Sequence, residues 1–412
     1  QVMVLRLNPE VQPGALQLAW WLLLWASWGM VVGGALLLLT RLTWHGLRGR
    51  AAGPRRWRLA EMAVGVYVVG AVMSFFNADI HPEFLTRTGR RILEQDAVTW
   101  LVAALLVGGA GRMVRRLGSP RSLRVLVAVL ALALPMARLL GQPTPSRPVP
   151  RREVEPLGRP DRPLVVVGVE GLDSPTLLTH ASDPRFPTLA RLEERAAWGR
   201  LDPYTPYLRR SLWTSTAVGA LPGSHGVKLR WAWSVPGISD PLLLLPWTPV
   251  GSRNMLPWGL ARAGPPPPPR LPPLWARVAA SGTPTRVLAW PGVWQASPEL
   301  DPATDARRRP ELEPDLAELL EDALAPFPEH RKPVMEAVGD DVDRLRRGRA
   351  RLEGGVTNLW LYLESLVAAR HRLEPLGPSD TGQRHALEVV LEILDQELAG
   401  LLEAAGEEAV VA

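Results

Sequence analysis

The chain has 412 residues, 47% of them hydrophobic, with 17 Trp against 5 Phe and 4 Tyr, and no Cys. That length allows two or three domains, and the lack of cysteine excludes disulfides and thiolate metal sites. The net charge of +6 comes mainly from Arg clusters beside apolar segments, a membrane-topology signal and not a nucleic-acid footprint, so no nucleic-acid partner is expected.

In chain order, 15–40 is the first notable stretch: 26 residues without a charge, rich in Leu, Trp and Val. It exceeds the roughly 20 residues needed to cross a bilayer. A cleaved signal peptide does not fit, since the run is too long and no basic region precedes it. Residues 62–78 make a second candidate span. Residues 97–111 and 125–141 make a third and fourth, the last interrupted by Arg138. Their flanking arginines can snorkel to the interface; the alternative for these two is buried helices of a soluble protein. A membrane region of about four helices is therefore expected over 1–141.

Loop charges orient it. Arg41, Arg48, Arg50, Arg55, Arg56 and Arg58 lie between the first two spans, and Arg112, Arg115, Arg116, Arg121 and Arg124 between the last two, with no acid among the arginines of either loop. The middle loop mixes Asp79, Glu83, Glu94 and Asp96 with three Arg. The positive-inside rule makes the two arginine-rich loops cytoplasmic. Both termini are then outside an inner (cell) membrane, and a large C-terminal domain faces the periplasm or exterior.

The stretch 142–163 holds seven prolines among alternating charges. It reads as a semi-rigid spacer, with the linker at 142–162 and an outer domain at 163–412. In that domain 164–169 is a short Val-rich run ending in glycines, a buried strand entering a tight turn. Glu170 stands where the strand gives out. Ligands of open α/β sheets bind at such strand ends, so Glu170 is a candidate metal ligand or acid/base group, or else a turn cap or an Arg partner. A helix with Pro187 as its first residue carries Leu189 and Leu192 at helical spacing. A second, roughly 213–218, ends at Gly219 and leads to the turn 222–226.

Further on, 265–269 with Pro272 and Pro273 reads as a surface loop entering a helix at Leu274. Residues 311–353 are charged and helical in pattern, with Leu316, Leu319, Leu320 and Leu324 on one face, an insertion that covers a sheet or rims a pocket. Strands are expected at 286–290 and 356–363, a long amphipathic helix at 380–405, and the start of a further strand at 409–412. The fold class that results is α/β: transmembrane helices followed by a mostly parallel sheet flanked by helices.

The order of these pieces resembles the alkaline phosphatase superfamily, in its type I phosphodiesterase/nucleotide pyrophosphatase-like branch, over roughly 160–412. Members carry a strand ending in Asp-Gly, then P-x-L-x-x-L-x-x-x-G, then W-T-S-x-x-T-G-x-x-P-x-x-H-G. Here stand Glu170-Gly171, the segment from Pro187 to Ala197, and Trp213-Thr214-Ser215 through Gly219 to His225-Gly226. Leu274-Trp275 and the run from Val287 to Gly292 are similar to the family's next helix and its V-x-x-W-P strand.

The resemblance implies two metal ions, typically zinc, flanking a Thr or Ser nucleophile that attacks phosphorus; one lowers the nucleophile's pKa and the other stabilises phosphoryl charge. It puts Glu170 at the first-strand Asp position. Counting back from Gly219, the nucleophile position falls on Arg209, which cannot attack phosphorus and is not deprotonated. Counting back from His371, which is kept, the paired Asp position falls on Val367. The remaining Asp-His and His ligands would fall beyond Ala412. Because the chain opens on Gln1 and stops inside a strand-like run, it is expected to be truncated. A shift of register would instead promote Ser211 or Thr214 to nucleophile, and the family's use of His225 is to support its loop. Arg209 and Arg210 are suited to bind a phosphate or carboxylate bidentately.

Three functions follow. The first is a membrane-anchored protein of this fold with a degenerate metal site, possessing reduced or absent hydrolysis and binding an anionic or phosphorylated ligand. The second is an active phosphoesterase or phosphotransferase, dependent on zinc or another divalent metal and acting on lipid-linked or nucleotide substrates. The third is a structural envelope-assembly module.

Overall fold

The computed structural model of the protein describes residues 59–80, 82–116, 154–195, 197, 199, 203–229, 232–234, 262–264, 268–291, 312–373 and 381–412. They fall into two compact units. The first joins the N-terminal region to Tyr204–Ser215 and Ala220–Leu271; the second holds Arg152–Pro203, Thr216–Gly219 and Pro272–Ala412.

The first unit is built on a helical hairpin: α1 (Leu59–Ile80), a 3-10 turn at Pro82–Phe84, and α2 (Arg87–Arg116). Its seam consists of Tyr67, Ala71, Trp100, Ala103, Ala104 and Val107, with Tyr67 stacked on Trp100 at 5.7 Å between ring centroids. Small residues at the seam let the helices approach; a Cβ added to Gly108 would already touch Val64 at 3.4 Å. The outer face is apolar. Val66, Val69, Val72, Phe75 and Phe76 of α1 and Val98, Leu101, Val102, Leu105 and Leu106 of α2 are all exposed. The exposed charges of α2 sit at its ends, Arg87, Arg90, Arg91 and Glu94 on one side of this belt and Arg112 on the other.

The expected span 62–78 lies in α1 and 97–111 in α2; those at 15–40 and 125–141 lie outside the described residues. Among the described residues Arg87–Ala110 is long and apolar enough to cross a bilayer, whereas the apolar part of α1, Val64–Ile80, falls short of the roughly 20 residues required. One candidate span is thus present where two were expected.

The rest of this unit comprises most of α5 (Arg209–Val218), the short α6 (Pro222–His225) and an antiparallel pair, β2 (Ala232–Ser234) with β3 (Arg262–Gly264). Residues 154–163, the described part of the Pro-rich spacer, are neither helix nor strand.

The second unit contains β1 (Leu164–Val169), α3 (Ser174–Ala181), α4 (Pro187–Arg195), α7 (Leu274–Ala279), β4 (Thr285–Leu288), α8 (Pro314–Ala323), α9 (Pro328–Glu353), β5 (Asn358–Leu363), α10 (Ser365–Leu373), α11 (Thr381–Ala405) and β6 (Val410–Val411). Its sheet has the order β4-β5-β1-β6, every pair parallel. Parallel central strands are covered on both faces, which is why they read as unbroken apolar runs; β5, NLWLYL, is buried along its whole length.

Its two faces carry different cores. Leu359, Leu361 and Leu363 join the aliphatic cluster with Val334, Val338, Val342 and Leu345 of α9 and Ile393, Leu394 and Leu401 of α11. Gly348 lets α9 close onto that face: a Cβ there would meet Leu401 at 3.1 Å and Leu359 at 3.3 Å. Trp360 and Tyr362 point the other way, where Trp275 of α7 and Trp290 meet Trp360 edge-on, each at 5.2 Å. The charged stretch 311–353 forms α8 and α9, and it covers the sheet. Its predicted leucine face is the buried one, with Leu320 and Leu324 fully enclosed.

Candidate functional site

Glu170 sits at the carboxyl end of β1, its backbone N–H donating to Leu363 O at 3.0 Å, so the strand ladder extends to this residue. Gly168 pairs with Tyr362 across the sheet. Lacking a side chain, Gly168 leaves room on that face, and the Tyr362 hydroxyl reaches Glu170 to donate a hydrogen bond to its Oε2. Tyr362 is itself fixed, fully buried with its ring 6.3 Å from Trp290. Gly171 follows with φ 91°, a conformation that favours glycine. A Cβ at Gly171 would lie 2.9 Å from the backbone N of Val367. The fold therefore brings together Glu170 and Val367, the two positions that the sequence assigned to metal-ligand carboxylates. His371 lies one helical turn further along α10, exposed.

Two buried carboxylates that sequence reasoning missed cap helices of this unit. Asp341 of α9 accepts from the backbone N–H groups of Glu364 and Ser365 at 2.8 and 2.7 Å, capping α10, and pairs with Arg344 at 2.7 Å. Burial raises the Asp341 pKa above the ordinary carboxylate value, and the Arg344 charge opposes that rise. Asp395 of α11 accepts from Thr188 and Leu189 N–H at 3.1 and 2.7 Å, capping α4. Arg370, beside His371, bonds Asp173 at 3.1 Å and Thr176 at 2.8 Å, tying α10 to the start of α3.

Both hydroxyl candidates lie in the first unit, Ser211 in a closed ring of hydrogen bonds. Val227 N–H donates to His225 Nδ1 at 3.1 Å, so the imidazole proton is on Nε2, which faces Ser215 Oγ at 2.9 Å. Ser215 then donates to the Tyr204 hydroxyl at 3.1 Å, Tyr204 to Ser211 Oγ at 3.2 Å, and Ser211 to Val227 O at 2.8 Å. The ring thus starts and ends on one backbone unit. Burial, then the charges of Lys228 and Arg270, push His225 down to about 4, which keeps it neutral. With Nδ1 occupied and Nε2 donating, His225 is not a base toward Ser215. Thr214 is buried and donates to Arg210 O at 2.7 Å. Arg209 is the first residue of α5 and exposed, and Arg210, partly buried, follows it. Glu170 and Arg209 belong to different units.

A family model for type I phosphodiesterase/nucleotide pyrophosphatase matches residues 164–412, more than half of the chain. The chain belongs to that family. No curated protein and no solved structure matches it.

Type I phosphodiesterases are typically metal-dependent, so the donors present have to be weighed against that requirement. Among the described residues no group of three or more His, Asp or Glu is placed to hold a metal ion. Of the three positions that the sequence reading assigned to ligands in the sheet unit, Glu170 has a carboxylate engaged by Tyr362, Val367 has no donor atom, and His371 has one ring. These positions supply one carboxylate and one imidazole. Tyr204, Tyr362 and Asp341 were not singled out from sequence; Tyr362 takes its role from Glu170, 192 residues away.

Proposed function

We propose that this protein is a membrane-anchored member of the phosphodiesterase family whose outer domain binds an anionic or phosphorylated ligand through Arg209 and Arg210 and hydrolyses little or nothing. The observation that carries this reading is the start of α5. Two arginines occupy its first turn, which has no acid, although the helix N-terminus is already positive. Each cation at such an end is unfavourable by roughly 0.3–1 kcal/mol, and a phosphate or carboxylate bound by the guanidinium forks reverses the sign.

Support for the anchor comes from the exposed Val, Phe and Leu belt of the hairpin. The arginine asymmetry of the loops supports an outer domain that faces the periplasm or exterior. A guanidinium at the nucleophile position would also set cation against cation if a metal sat beside it, which favours a metal-free anion site.

Titration of the full-length protein with inorganic phosphate tests the reading. Saturable binding is expected, weakened at least tenfold in Arg209→Ala/Arg210→Ala. Equal affinity in the variant, or no binding by the unmodified protein, would remove the assignment.

A further inference from the structure

Tyr204, Leu208 and Gly223 pack onto the turn of the helical hairpin. Phe84, fully buried in that turn, takes the Tyr204 ring edge-on at 5.2 Å. Tyr204 and Leu208 pack on the cluster of Ala78, Phe84, Leu85 and Leu93. Gly223 packs its backbone on that of the turn, so closely that a Cβ would lie 2.3 Å from Leu85 O. Tyr204 belongs to both systems: its ring lies on the hairpin, and its hydroxyl joins Ser215 to Ser211.

We propose that Tyr204 is a coupling residue through which the hairpin turn orders the start of α5, so that seating the hairpin in a bilayer sets the geometry of the Arg209–Arg210 turn. The reason is mechanical. Arg209 and Arg210 lie between Tyr204 and Ser211, and the chain is held on both sides of them by one phenol. Moving the turn moves the Tyr204 ring, and the hydroxyl carries that movement to the Ser211 and Ser215 side chains one and two turns into the helix. The ligand consequence rests on the reading of Arg209 and Arg210 given above; the coupling itself does not.

Hydrogen exchange of residues 204–218 in the full-length protein in phosphatidylcholine nanodiscs, with inorganic phosphate binding as a second readout, tests the coupling. Tyr204→Phe keeps the ring and removes the hydroxyl, and it should raise exchange over 209–218 at least fivefold while the hairpin stays protected. Phe84→Leu, which keeps an apolar plug but no ring, should do the same to a smaller degree. Phosphate affinity should fall in parallel with the loss of protection. Exchange over 209–218 that matches the unmodified protein in both variants would overturn the coupling. Raised exchange in a protein that never binds phosphate would uphold the coupling and sink only the ligand reading.

Discussion

The two units of this chain obey opposite packing rules. In the α/β unit the large aliphatic side chains, Leu359, Leu361, Val338 and Leu394 among them, are inside. In the hairpin, alanines and a Tyr–Trp stack fill the seam while Val69, Phe75, Leu101 and Leu105 face outward. A water-solvated domain gains by burying apolar area, about 25 cal/mol per Å². A hairpin in lipid gains nothing that way, so close contact of small residues decides its seam. The difference is the one that two solvents acting on one chain would produce, which is the proposed arrangement, and each can be tested by a substitution harmless in the other.

The largest effect belongs to the α/β unit. Trp275 is completely enclosed between Trp290 and Trp360. Trp275→Ala should cost about 4 kcal/mol from lost transfer energy and the cavity left behind. Thermal unfolding followed by Trp fluorescence would register it, and a loss under 1 kcal/mol would show that the aromatic face is not core.

Next in size is Leu105→Arg. Leu105 is 69% exposed, and on a soluble surface such a change moves stability by no more than about 0.5 kcal/mol. In a bilayer it should cost about 3 kcal/mol and lower the fraction of chains recovered in carbonate-washed membranes. Recovery equal to the unmodified protein would place that face in water.

A third test probes the hydrogen-bond ring of the first unit. His225 titrates at about 4 in the folded protein, below its ordinary value of about 6.5. Between those values the unfolded chain binds more protons, so stability is full above pH 6.5 and declines as pH falls toward 4, by on the order of 2–3 kcal/mol. Denaturant melts from pH 7.5 to 4.5 should show that slope, and His225→Gln should flatten it. An unchanged slope would mean that other groups carry the pH dependence.

The smallest of these effects is Asp395→Ala, expected to cost about 1–2 kcal/mol because two N–H groups at the start of α4 lose their acceptor. No change in melting temperature would show that water replaces the carboxylate.

What could be read from sequence depended on whether the cause was local. β1 came out at 164–169 because a central parallel strand is an apolar run closed by glycine. The strand expected at 286–290 stops at Leu288 instead, since Ala289 adopts a positive φ of 56° before Trp290 joins the aromatic cluster. The strand expected from 356 starts at Asn358, because the N–H groups of Thr357 and Asn358 both turn to Pro284 O. Helix α5 begins four residues before the expected 213, as Leu212 N–H already bonds Leu208 O; two arginines hid that start.

Of the candidate site, Glu170, Arg209 and His371 were legible as residue types at motif positions, and Arg210 as the neighbour of one. Their surroundings were not. Tyr362 lies 192 residues from Glu170, and the acceptor of Ser211 is a backbone carbonyl that no side-chain pattern announces.

The central claim is that this phosphodiesterase fold serves binding and not turnover, and metal content measured together with hydrolysis addresses it most directly. The protein expressed from its complete gene and purified in detergent should carry sub-stoichiometric zinc and leave a bis-aryl phosphodiester untouched with or without added divalent metal. Arg209→Thr alone should not change that, because Val367 still supplies no ligand; Arg209→Thr with Val367→Asp is the smallest change expected to raise metal content. Stoichiometric zinc with metal-dependent turnover in the unmodified protein would contradict the account and return Ser211 and Thr214 to the position of nucleophile.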